Sequence, residues 1–225
     1  MSEATHPKNA INSATLGYIL NKFNLSFDDK TRMPIEIPNV GRDNLPDLFN
    51  ELGYKTGAEV GVLDGDFSEK LCQANAKLKL YAVDSWEQEG DFHDYDQDRL
   101  SRAYAATKER LGKYSCEVVK KTSMDAAPDF ENGSLDFVYL DADHSFQNVV
   151  NDVCEWIKKV KVGGIISGHD FRRYSDERGR YHVPEAISGY TVAYHIRPWF
   201  VLGRKKAVEG EIRDKDRSWM WVKLK

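Results

Sequence analysis

AEVGVLDGDFSEKLCQANAKLKLYAVD, residues 58–84, holds the reading that decides the fold. An apolar run at 58–63 meets Gly65, Phe67, Leu71 and Ala74 then recur at helical spacing, and a second apolar run at 78–83 ends on Asp84. Strand, glycine turn, helix and strand form a βαβ unit. The alternation continues downstream. Leu100, Ala103, Tyr104, Thr107 and Leu111 predict a helix stopped by Gly112, and 116–119 predicts a third strand. Residues 135–140 read as a fourth strand, and Phe146, Val149, Val150, Val153, Trp156, Ile157 and Val160 trace one face of a long helix capped by Ser145. A turn at 161–164 leads to a fifth strand at 165–167, a continuous apolar run of the kind that buried parallel strands need. A sixth helix runs from Val183 to Ile196, and 199–202 and 219–224 read as two strands joined by a charged loop, hence antiparallel. The spacing therefore predicts an α/β fold: a doubly wound, mostly parallel, seven-stranded sheet with an antiparallel C-terminal pair.

Upstream, 45–52 has helical spacing and Gly53 stops it, so the core domain is read as 45–225. Residues 1–44 are polar, contain Pro7, Pro34 and Pro38, and read as an N-terminal arm with one short helix around 14–23 and no chemistry of its own, available to support a homodimer or cover a site.

Composition narrows the partners. With 32 basic and 36 acidic residues among 225, the net charge of -4 gives no general attraction to a phosphate backbone, so a dedicated nucleic-acid binder is not expected. No long apolar stretch or basic leader occurs, so neither a membrane span nor a signal peptide is expected and the reading is cytoplasmic. Cys72, Cys116 and Cys154 lack metal or disulfide spacing and read as core thiols.

In doubly wound sheets, ligands sit at the carboxyl ends of the strands, near the switch in strand order. The first turn reads ExGxxxG, with Gly61 and Gly65 shaping the chain and Glu59, Asp64 and Asp66 close by. A dinucleotide site prefers GxGxxG, which sets a pyrophosphate on the helix end. An acidic turn repels phosphate and suits an ammonium. Asp84, ending the second strand, is placed to accept the hydroxyls of a ribose. A ligand with a ribose, an ammonium and no phosphate fits S-adenosylmethionine.

AEVGVLDGDFS, YAVDSW and DFVYLDADHSFQNVVNDVCEWIKKVKVGGIISGHDF together resemble the class I S-adenosylmethionine-dependent methyltransferases over about residues 45–224. The closer resemblance is to small-molecule O-methyltransferases of the macrocin type, and the more distant one to catechol and caffeoyl-coenzyme A O-methyltransferases. The resemblance implies that Glu59 holds the amino end of the cofactor, that Gly61, Gly65 and Ser68 belong to its turn, that Asp84 binds the ribose, that Ser123 or Met124 borders the adenine, and that Asp141 adjoins the cofactor.

Asp141 and Asp143 follow the fourth strand and His169 and Asp170 the fifth, so four polar groups converge at neighbouring strand ends. Metal-dependent relatives hold a divalent ion at positions matching Asp141, His169 and Asp170. Histidine departs from their all-oxygen pattern, which shifts the expectation from magnesium toward manganese, iron or zinc, or to a metal-free site with His169 as base. His144 stands where those relatives carry a lysine that takes the substrate proton, and it reads as general base, helix cap or acceptor contact; Asp143 is the reserve base. The implied reaction is methyl transfer to a hydroxyl of a sugar, polyketide or phenol-like acceptor. Loops 85–98 and 172–181, with Trp86, Phe92, Tyr95, Arg172, Arg173 and Tyr174, read as its lid. An NAD-dependent oxidoreductase lacks support from the missing third glycine and the antiparallel ending. A noncatalytic cofactor-binding interaction protein would have little reason to keep Asp141, His144, His169 and Asp170.

Overall fold

The computed structural model describes residues 13–88, 95–173 and 181–225. Its sheet has strands β1 (Ile35–Ile37), β2 (Thr56–Val60), β3 (Lys79–Asp84), β4 (Cys116–Lys120), β5 (Leu135–Leu140), β6 (Val160–Gly168), β7 (Phe200–Leu202) and β8 (Trp219–Val222). Helices are α1 (Ala14–Lys22), α2 (Leu45–Glu51), α3 (Asp66–Ala74), α4 (Gln97–Leu111), α5 (Ser123–Ala126), α6 (Phe146–Lys159) and α7 (Val183–Ala193).

The strand order is β1-β7-β8-β6-β5-β2-β3-β4. From β2 the chain builds outward through β3 and β4, then returns to lay β5 on the other flank of β2, so the switch point lies between β2 and β5. β8 is antiparallel to both β6 and β7, as the two apolar runs near the C-terminus require. The sheet has eight strands where the spacing predicts seven. The extra one, β1, comes from the segment read as an arm and pairs in parallel with β7. Three residues between Pro34 and Pro38 are too short to show a period, and prolines are tolerated at an edge strand.

Alternation along the strands feeds two cores. Val138 and Leu140 point to α6 and α7, while Phe137 and Tyr139 point to α1, α2 and α3. α6 buries Val149, Val153 and Trp156 along one stripe, capped by Ser145 as its sequence predicts. Leu16 and Ile19 of α1 are fully buried in the second core.

One strand and one side chain depart from the spacing in ways that bear on the site. β6 starts at Val160 and runs through the expected turn at 161–164, because pairing with β5 begins at Leu135 and shifts register before Phe137. Trp86, expected in the lid, is 1% exposed, packs on Tyr104 and donates Nε1 to the Leu63 carbonyl at 2.8 Å. Phe92 and Tyr174 lie outside the described residues. Among the described residues no helix is long and apolar enough to cross a membrane.

At the switch point, Gly61 has φ +87 and donates its N–H to Val83 at 2.9 Å, while Asp141 donates its own to Val60 at 2.7 Å. A Cβ at 61 would overlap the backbone of Asp141 and Ala142. Gly210 shares a positive φ of +80 but faces open space. Gly61→Ala should therefore cost more than about 2 kcal/mol, strain and clash together, and Gly210→Ala only about 1 kcal/mol of left-handed strain. Urea midpoints at constant slope measure both, and equal losses would mean that the close approach at 61 is relieved cheaply.

Candidate active site

Outside the carboxyl ends of β2, β3, β5 and β6 lies a cavity of about 950 Å³. Gly61, Asp84, Ser123, Met124, Asp141, Asp143, His144, His169 and Asp170 border it, as do Arg42, Asn148, Asp152, Tyr181, Asp214, Lys215 and Asp216. Carboxylates far outnumber Lys and Arg along this lining, which suits a ligand of net positive charge. Glu59, Gly65 and Ser68 do not border it. Glu59 is 1% exposed, and the Ser68 hydroxyl donates to its carboxylate. Burial raises the Glu59 carboxyl to about 8, against the opposing pull of Arg42 and Ser68.

The first turn is held in a strained shape. Leu63 has φ +52, and its carbonyl accepts from Trp86 Nε1 and from Thr107 Oγ1, each at 2.8 Å. Gly65, at φ +77, offers no side-chain cap to α3. Of the turn's acids, Asp64 forms a two-point pair with Arg99, and Asp66 pairs with Arg110, so α4 offsets part of the turn's charge.

Asp84 clasps this turn from the end of β3. Its Oδ2 accepts from Val62 N–H at 2.8 Å and Leu63 N–H at 3.0 Å, and its Oδ1 accepts from Trp86 N–H at 2.7 Å. A carboxylate has roughly four acceptor positions, so Oδ1 retains room for one hydroxyl. Ser123, at the start of α5, donates to Asp152 and accepts from Trp156 Nε1 at 2.8 Å, which engages its hydroxyl within the protein, whereas Met124 is partly exposed on the cavity wall.

At the ends of β5 and β6, four groups meet. His144 Nε2 lies 2.9 Å from Asp170 Oδ2 and 3.9 Å from Asp141 Oδ1. His169 Nδ1 lies 3.2 Å from Asp170 Oδ2 and 3.7 Å from Asp141 Oδ1. Asp141, His144 and Asp170 each offer one ligand atom, all within 4.8 Å of one another, a group that has His144 where the predicted set has His169. Two carboxylates and an imidazole form a donor set that fits manganese, iron or zinc more readily than magnesium. Burial alone would lower His144, but its bonds to Asp141 and Asp170 and their charges outweigh that and raise it to about 10. His169 is raised for the same reasons, chiefly by Asp170 against its own burial. Asp170, despite burial, is held well below the usual carboxylate range by the two imidazoles.

The surrounding groups fix these rings. Tyr181 stacks on His144 with centroids 5.1 Å apart, and His182 N–H donates to the His144 carbonyl at 2.8 Å. Ser145, not His144, caps α6, and Asp143 accepts from Ser145 N–H at 2.6 Å. Asp170 itself adopts φ +56, a left-handed conformation at a functional strand end.

Local spacing gives no sign of Arg42, which stands in the polar, proline-bearing segment 1–44. Its guanidinium lies 3.0 Å from Asp141 and 3.5 Å from Glu59, over the rings of Phe67 and Tyr139 at 4.3 and 5.1 Å. Nor does local spacing signal Asp214, Lys215 and Asp216, since a charged loop gives no sign of where it folds.

A profile described as a methyltransferase domain matches residues 58–171. The uncharacterized protein R132 of Acanthamoeba polyphaga mimivirus is 28% identical over 134 residues, 59% of this chain. The chain spans 11% and 58% of the lengths of the first curated relatives it matches. Among solved structures, cofactor-bound Rv0187 from MTB is similar with a TM-score of 0.56 at 14% identity, covering 97% of this chain and 94% of that one. The O-methyltransferase from Bacillus cereus in complex with SAH has a TM-score of 0.55 at 16% identity, covering 93% and 90%. At these identities the two structures speak for the fold.

The His144–Asp170 pair has a pH signature. A histidine raised from 6.5 to about 10 on folding stabilises fully below 6.5 and loses that contribution as pH rises toward 10. Asp170, depressed on folding, contributes above the ordinary aspartate range and loses its contribution only as pH falls through its lowered value. With a chelator present, wild type should exceed His144→Gln by more than about 1 kcal/mol near pH 6, with the gap closing by pH 10. Thermal melts across that range check this, and a pH-independent gap would show that the pair carries no differential charge.

Proposed function

The chain belongs to the methyltransferase-domain family matched across residues 58–171, and on that premise we propose that it moves the methyl group of S-adenosylmethionine to a hydroxyl of a small molecule, with a divalent ion at Asp141, His169 and Asp170 and His144 beside it as the base. The observation that carries this reading is the acidic cavity at the β2–β5 switch, with the His–Asp cluster on one wall and the clasped glycine turn on the other. The NAD-dependent alternative finds no support in a lining so rich in carboxylates, which disfavours a pyrophosphate.

In this reading the turn at 61–65, Asp84 and the 123–124 corner hold the cofactor. The acceptor sits against Asp143, Tyr181 and the 214–216 loop. A cavity of about 950 Å³ is at the upper end for one ligand and accommodates two. The chain's main task is positioning, since an in-line displacement gains most from aligned reactants. A divalent ion would supply polarisation of the acceptor oxygen. His144 is the group that receives the acceptor proton, and its ring is kept in place by Tyr181 and Asp170. Held by two carboxylates it stays protonated to about pH 10; a divalent ion on those carboxylates would draw on their charge and would lower its proton affinity.

Wild type should bind S-adenosylhomocysteine saturably in calorimetry and show no binding of NAD; the reverse pattern would end the reading. Turnover should rise with pH on a limb that moves from near 10 in chelator toward neutral pH with added manganese, and His144→Ala should lose the limb and about 10² to 10⁴ of the rate. A profile indifferent to both changes would remove the metal and the base together.

A further inference from the structure

The family resemblance offers Glu59 for the amino-acid end of the cofactor, yet Glu59 is sealed from the cavity, and Arg42, which borders the cavity, stands in front of it. Arg42 is unusually constrained for a cation near a cavity mouth. Its backbone N–H is tied to Asp214. Its guanidinium rests on Phe67, and a carboxylate from each of β2 and β5 draws it inward. Its Nε is buried with no acceptor among the described residues. Among the described residues, the lysines on the cavity wall are Lys70, which is paired with Asp43, and Lys215 on the 203–218 loop.

A zwitterionic amino acid needs an anion and a cation side by side. Asp141 borders the cavity and Arg42 lies 3.0 Å from it, while the buried Glu59 carboxyl stands 3.5 Å behind Arg42 and Ser68 holds Glu59. Resting on the cofactor assignment above, we propose that Arg42 is the residue that binds the carboxylate of S-adenosylmethionine, and that Glu59 and Ser68 act through it as positioning residues. Asp141 then receives the ammonium in place of the guanidinium it now pairs with. This assigns binding chemistry to the N-terminal segment and changes the role of Glu59 from ligand contact to support.

The test uses two probes, S-adenosylhomocysteine and S-adenosyl-3-thiopropylamine, the same molecule without its carboxylate. Calorimetry on wild type should show the amine binding ten- to hundredfold more weakly, the range for a hydrogen-bonded charge pair. Arg42→Ala should lose that factor for S-adenosylhomocysteine and bind the two probes alike, while Arg42→Lys, which keeps a charge and guards against a folding defect in the first variant, should regain part of the preference. Equal losses for both probes in Arg42→Ala, or an unchanged preference, would overturn the assignment and leave Arg42 a structural ion pair. If wild type bound the amine as tightly as S-adenosylhomocysteine, the carboxylate would have no receptor and Arg42 would be excluded. If wild type bound neither probe, the cofactor reading itself would fall, and the assignment with it.

Discussion

The close parallel approach of β2 and β5 at their carboxyl ends governs the rest of the molecule. Gly61 passes so near the Asp141 backbone that no side chain fits between them, and hydrogen bonds on both flanks, to Val83 and from Asp141, lock the three strand ends together. Everything that faces the cavity is aimed from this point. The turn after β2 swings toward α3, the acid after β3 reaches back to clasp it, and the acids after β5 and β6 stand opposite. Because the constraint is backbone against backbone, it cannot relax by choosing another rotamer.

Around that frame the site stores charge and strain. A lone buried carboxylate costs several kcal/mol; burial raises the Glu59 carboxyl, and Arg42 and Ser68 offset part of that cost. The two imidazoles do the same for Asp170 on the far wall. Positive φ values at Leu63, Trp86 and Asp170, each of order 1–3 kcal/mol in isolation, fall at three strand ends bordering the site. The strain persists because several hydrogen bonds hold each position: the Leu63 carbonyl accepts two side-chain donors, and the Trp86 amide is fixed by Asp84.

One edge of the sheet is built and braced by the segments that look least structured in sequence. β1 extends the sheet beside β7, Glu36 accepts from Arg217 at 2.9 Å, and Asp214 holds residue 42. An N-terminal stretch and a C-terminal loop thus brace one another over the cavity. This is how Arg42, more than a hundred residues before His169, comes to share a wall with it.

Much of the architecture was legible in the chain itself. Apolar period and glycine punctuation located β2, α3, β3 and β5, with Ser145 capping α6, because these features are written among residues a few positions apart. The same local signals put Asp84, Asp141, His169 and Asp170 at strand ends, where a doubly wound sheet gathers its ligands. The tertiary structure alone decided that Glu59 is sealed behind Arg42, that Trp86 belongs to the core, that His144 joins the Asp141–Asp170 cluster, and that a three-residue strand continues the sheet. These outcomes depend on strand order, register and the meeting of distant loops. Such pairings leave no periodic trace in the chain, since the energy that selects them arises only when residues far apart in sequence are packed together.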